Sequence, residues 1–111
     1  MTQYYIRVDD LANAHGSDQR FAWMGQSPQN LAQTLERALR DAGYINQWRD
    51  AQAEPDEVSA GLLAVDAHAR VTIEERAQRV EMQIVTLLPH KLLAHRMNLL
   101  IGAHWTLGDV K

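Results

Sequence analysis

Apolar and polar positions follow two different rhythms along this chain. Tyr4, Ile6 and Val8 alternate with Tyr5 and Arg7, and that period of two predicts a strand over residues 3–8. Phe21 and Trp23 share one side of a second predicted strand, residues 20–26. The longest alternation covers residues 62–73. There Leu63, Val65, Ala67, Ala69, Val71 and Ile73 point one way, and Asp66, His68, Arg70 and Thr72 the other. A strand with one wet face reads this way; a helix does not. Val80, Met82, Ile84 and Thr86 oppose Glu81 and Gln83 in the following strand, and Trp105, Leu107 and Val110 lead a last one over residues 104–110.

The other rhythm has a step of three to four. Leu31, Leu35, Ala38, Leu39 and Ala42 form one helical face behind Ser27 as N-cap and Pro28 in the first turn, and Gly43 is expected to end this helix. Pro89 opens a second helix, His90 to Ile101, which Gly102 closes. Its apolar surface (Leu92, Leu93, Met97, Leu99, Leu100, Ile101) is wider than a single stripe, so it is expected to touch two neighbours. Residues 9–19 read as a loop with one helical turn, and residues 44–60 as a long polar connection anchored by Trp48.

Glu75, Arg76, Ala77 and Gln78 are expected to join the two middle strands as a hairpin. In that register Ile73 faces Val80, Val71 faces Met82 and Ala69 faces Ile84, while Thr72 faces Glu81 and Arg70 faces Gln83. A one-residue slip would turn Asp66 and Arg70 into the core, so the alternation selects the parity.

The predicted order is β, β, α, β, β, α, β. Leaving out the first strand, this is the split β-α-β order of ferredoxin-like folds: an α+β sandwich with an antiparallel sheet and two helices on one face. Tyr4–Val8 then becomes an extra N-terminal or edge strand. Two ββα units related by a pseudo-dyad are the alternative. The chain of 111 residues is read as one domain, residues 1–111.

Composition narrows the chemistry. The chain has no cysteine, which excludes disulfides, thiolate catalysis and cysteine-ligated zinc. No stretch approaches the roughly 20 apolar residues of a membrane span, and the start, Met-Thr-Gln-Tyr-Tyr, shows no signal-peptide pattern. A cytoplasmic protein is the simplest expectation. The net charge of −3 supplies no general attraction to nucleic acid, although Lys91, Arg96, His90, His95 and His104 make the C-terminal region mildly cationic.

No motif names a reaction. His90 and His95 are five apart and point in different directions, so no metal site is expected. Asp9, Asp10, Asn13 and Asp18 lack the ligand spacing of a cation loop. The glycines are isolated and cradle no phosphate, and no serine sits in a nucleophile elbow. Asp66, His68, Arg70, Thr72, Glu81 and Gln83 would share the wet side of the sheet, where Asp66 and His68 could act as an acid–base pair. Phe21 and Trp23 could stack bases, but they lack a basic surround.

These observations favour a small non-enzymatic interaction or assembly module. Such a chain has the profile of a bacterial or phage accessory protein and is expected to self-associate through its last helix or a sheet edge. Its candidate interaction surface is Trp48, His68, Arg70, Lys91, Arg96 and Trp105, with no cofactor, and with a protein partner or a second copy bound. The competing expectation is a dimeric small-molecule-binding or catalytic domain, its site around Asp66, His68 and Arg70 with Trp23 or Trp48 lining a pocket. Nucleic-acid binding through Lys91, Arg96 and nearby histidines ranks third.

Overall fold

The first helix starts where its sequence says it should. Ser27 Oγ accepts a hydrogen bond from the Asn30 amide at 3.1 Å, and Pro28 fills the first helical position, where no amide donor is needed. Helix α1 runs Pro28–Arg40 and buries Leu31, Ala32, Leu35, Ala38 and Leu39. The computed structural model describes residues 1–25, 27–76 and 79–111.

Helix α1 ends before Gly43. Asp41 leaves the helix in an extended conformation (φ −114°, ψ 129°), and its carboxylate accepts from the Gly43 amide at 2.8 Å. That cap starts a new helix, α2, Ala42–Asp50. The predicted loop at residues 44–60 is therefore helical through Asp50. Only Ile45 of α2 is fully buried, so the segment carries no apolar stripe to reveal it.

The sheet consists of β1 (Thr2–Val8), β2 (Arg70–Arg76), β3 (Arg79–Thr86) and β4 (Trp105–Val110), with α3 (His90–Ile101) between the last two. All neighbours are antiparallel, in the order β2-β3-β1-β4. Among the described residues the chain is thus an α+β domain with a four-stranded antiparallel sheet and three helices. β1 is a central strand, paired on both sides, and not the extra edge strand expected.

Three further expectations are corrected. Residues 20–25 form no strand; Asp18 to Ala22 turn, and the Trp23 amide donates to Leu100 O at 2.8 Å. Gln26, the end of that predicted strand, lies outside the described residues, as do Ala77 and Gln78. The alternation from residue 62 yields a strand only from Arg70, because Ala60–Leu63 is a 3-10 turn and Asp66 points inward. The hairpin register is offset by two: Val71 pairs with Ile84, Ile73 with Met82 and Glu75 with Val80. Parity is kept. Glu75 and Arg76, expected in the connection, belong to the ladder. At the other end of β2, Glu36 accepts from the Val71 amide (3.1 Å) and Arg40 donates to Ala69 O (2.5 Å), so side chains of α1 mark where β2 begins.

One side of the sheet is sealed. Tyr4, Ile6, Val8, Val71, Val80, Met82 and Ile84 pack beneath Leu31, Leu35 and Leu39 of α1 and Leu93, Met97 and Leu100 of α3. Trp105 and Leu107 of β4 join from the edge. Residues 11–25 then strap across the end of α3. Gly16 is required in that strap: a Cβ on it would stand 2.1 Å from the Leu99 carbonyl oxygen. Gly102 closes α3 with a positive φ of 65°.

Candidate interaction face

Among the described residues, no element lies over the other side of the sheet. Alternation places Tyr5 and Arg7 of β1, Thr72, Glu74 and Arg76 of β2, and Glu81 and Gln83 of β3 on this open side, around a shallow groove of about 560 Å³. At its centre Tyr5 donates through its hydroxyl to Gln3 Oε1 (2.9 Å), and Gln83 Nε2 reaches the same oxygen (3.4 Å). Lys111 Nζ lies 5.4 Å from the Tyr5 ring centroid. Toward the hairpin end the face is fully charged. Glu74 pairs directly with Glu81 across the strands, and Arg76 with Arg79. Like charges in these positions repel in an isolated sheet. Arg7 sits opposite Glu81, and Glu74 also bridges to Arg76 at 2.9 Å.

Asp66 does not belong to this face. Its side chain is buried, where Oδ2 accepts from Thr86 Oγ1 (2.8 Å) and the Leu87 amide (2.9 Å), and Oδ1 from the His68 amide (3.0 Å). The Leu87 amide, above all, holds the Asp66 carboxyl below the usual carboxylate range, against the opposing effect of burial. A carboxylate satisfied by three donors closes the 66–69 turn onto the end of β3. His68 is exposed and touches Asp66 through its backbone, so the expected acid–base pair is not formed.

Arg96 is likewise no surface residue. It is fully buried in α3, and its guanidinium donates to three backbone carbonyls: Ala38 (3.2 Å), Leu62 (2.9 Å) and Ala64 (2.7 Å). Ala38 lies in the last turn of α1, where carbonyls lack helical partners and the helix dipole favours a cation. Burial lowers the Arg96 pKa, and a full guanidinium charge is nevertheless the form that three carbonyls can satisfy. Beside it, His95 meets the edge of Trp48 with ring centroids 4.5 Å apart. Its Nδ1 is buried and has no hydrogen-bond partner among the described residues, and burial followed by the Arg96 charge lowers its pKa. Tyr44 completes this cluster; its hydroxyl donates to Phe21 O at 2.6 Å, and burial pushes its pKa to about 12.

The six candidate surface residues therefore do not converge. Trp48 is half-buried between α2 and α3, Lys91 is exposed in the first turn of α3, and Arg70 is exposed where β2 begins. Half-buried Trp105 ties its indole N–H to Asn98 Oδ1 at 2.9 Å. Trp23 and Phe21, considered for stacking or for lining a pocket, are core residues, and Trp23 Nε1 donates to Asn30 Oδ1 at 2.7 Å. The residues brought together instead include Tyr5, Arg7, Glu74 and Arg76. Period two in β1 already separated Tyr5 and Arg7 from Tyr4, Ile6 and Val8, but Arg76 was assigned to a turn and β1 to an edge. Comparison with protein-family models, with curated proteins and with solved structures finds no match to this chain.

Proposed function

We propose that this chain is a non-enzymatic interaction module that self-associates through the uncovered side of its sheet. The observation carrying this reading is a wide charged sheet face, with Tyr5 and Gln83 at its centre, that no element among the described residues covers. The order β2-β3-β1-β4, with helices only on the other side, is read as a ferredoxin-like split β-α-β sandwich. Helix α3 is not the contact surface, because Leu92, Leu93, Met97, Leu100 and Ile101 are spent on the core. The predicted small-molecule site loses its main residue with the burial of Asp66.

Dilution tests the reading. Amide chemical shifts followed from millimolar to low-micromolar concentration should move at Tyr5, Arg7, Glu81 and Gln83 and stay still along α1. Sedimentation that reports only monomer over the whole range, with no shift on the open face, would overturn it.

A further inference from the structure

We infer that the occupant of the open face is a second copy of the chain, related by a two-fold axis lying parallel to the sheet and across its strands. The inference rests on the self-association proposed above and adds its geometry. Two successive rows of side chains cross the face near the hairpin end. The first row is Glu74, Glu81 and Arg7, set side by side by the strand registers. The second begins with Arg76 opposite Arg79 and continues to Asp9, two residues beyond Arg7. Asp9 Oδ2 accepts from Thr106 Oγ1 at 3.3 Å, which places that carboxylate on the open side. In signs, the rows read minus, minus, plus and then plus, plus, minus. Each position in one row is the inverse of its neighbour along the same strand.

A two-fold axis running between the rows turns this pattern onto itself. It lays the first row of one copy over the second row of the other, so Glu74 meets the partner's Arg76, Glu81 meets the partner's Arg79, and Arg7 meets the partner's Asp9. Each contact occurs twice, as an isologous interface requires. Face-to-face sheets stand about 10 Å apart, a gap that arginine and glutamate side chains bridge from opposite sides. Within one chain the Glu74–Glu81 and Arg76–Arg79 pairs repel, an effect that the Glu74–Arg76 bridge and the neighbouring Arg7 offset in part, and the second copy supplies each pair with further opposite charge.

The strength follows from the size. With the axis between the last two rows, the copies overlap over about 14 Å of strand length and four strands about 4.8 Å apart, or about 260 Å² of plan area, well below the ~800 Å² per partner of a stable complex. The dimer is therefore weak and salt-sensitive, and raising sodium chloride from about 50 to about 500 mM should weaken it tenfold or more.

Paired charge reversals test the geometry. Glu74→Arg with Glu81→Arg makes both rows mainly basic, and Arg76→Glu with Arg79→Glu makes them mainly acidic. Each double variant alone should dimerise at least tenfold more weakly than the parent, and an equimolar mixture should form the heterodimer, as read by sedimentation at low salt. A two-fold axis along the strands would set Glu81 against the partner's Arg7 instead, and the mixture would then stay monomeric. That result overturns the inference while self-association stands. Double variants that dimerise like the parent overturn it too, and a parent that never dimerises removes the underlying reading as well. Should reversal unfold the hairpin by circular dichroism, exchanging Arg7→Asp with Asp9→Arg decides. This variant keeps opposite signs in contact across the proposed axis and should retain dimerisation within about threefold; its loss overturns the geometry.

Discussion

At the scale of single residues, two ionisable groups, one buried and one half-buried, give this protein separate responses to acid. The folded state holds the Asp66 proton less tightly than an unfolded chain does, since its carboxylate already accepts three hydrogen bonds. Its contribution is complete above the ordinary aspartate value of about 3.9 and is lost as pH falls through the lower folded value. Asp66→Ala leaves Thr86 and the Leu87 and His68 amides without their acceptor and should cost about 1–3 kcal/mol at neutral pH, measured by urea unfolding. His95 acts in a higher window. The folded state resists its protonation because the ring is half-buried beside the Arg96 charge. An unfolded chain takes that proton below its ordinary value of about 6.5, so stability declines as pH falls from 6.5 toward the depressed folded value. His95→Phe should flatten the urea midpoint between about pH 7 and pH 5 relative to the parent, while leaving the aspartate limb in place.

At the scale of elements, the clearest reading comes where local chemistry and packing agree. Ser27-Pro28 and the Leu31/Leu35/Leu39 stripe defined the start and core face of α1, though not its end, and Pro89 and Gly102 bracketed α3, because cap and core face pointed to the same bounds there. β1 and β4 were legible from alternation alone. What alternation could not show was pairing. A period of two reports which face is wet, so it set the parity of the β2–β3 hairpin but not its offset, which depends on Glu36 and Arg40 marking where β2 begins. The pattern misled at Asp66 and Phe21, where a polar side chain goes in and an aromatic goes in without a strand. In both cases hydrogen bonds from residues distant in sequence decide. Helix α2 was illegible for a further reason: its start depends on the one side chain of Asp41, and it buries only Ile45. That dependence is testable. Asp41→Ala removes the Gly43 cap and should cost about 0.5–2 kcal/mol, with amide exchange accelerated first along residues 42–50.

At the scale of the whole molecule, the helical layer is closed by polar clamps and the other side of the sheet is uncovered among the described residues, so on the proposed reading stability and association belong to different residues. Arg96 is the centre of the closed side. It joins the last turn of α1 to the segment around Leu62 and Ala64 from within α3, and the Asp66 amide adds a parallel tie to Leu39 O at 2.8 Å. Arg96→Met preserves much of the side-chain volume but takes the donor from three carbonyls, of which that of Ala38 is shut away from water, and a net loss of about 3 kcal/mol is expected. None of those carbonyls lies on the open sheet face. Hydrogen exchange in Arg96→Met should therefore quicken through residues 60–66 and the end of α1, while the proposed association of the folded fraction keeps the parent's concentration and salt dependence. Charge reversal at Glu74 and Glu81 should do the converse, shifting association with little change in the exchange of α1 and α3. If Arg96→Met weakened association as strongly as it weakened folding, the two layers would be energetically coupled and the division between a clamped core and an open docking face would fail.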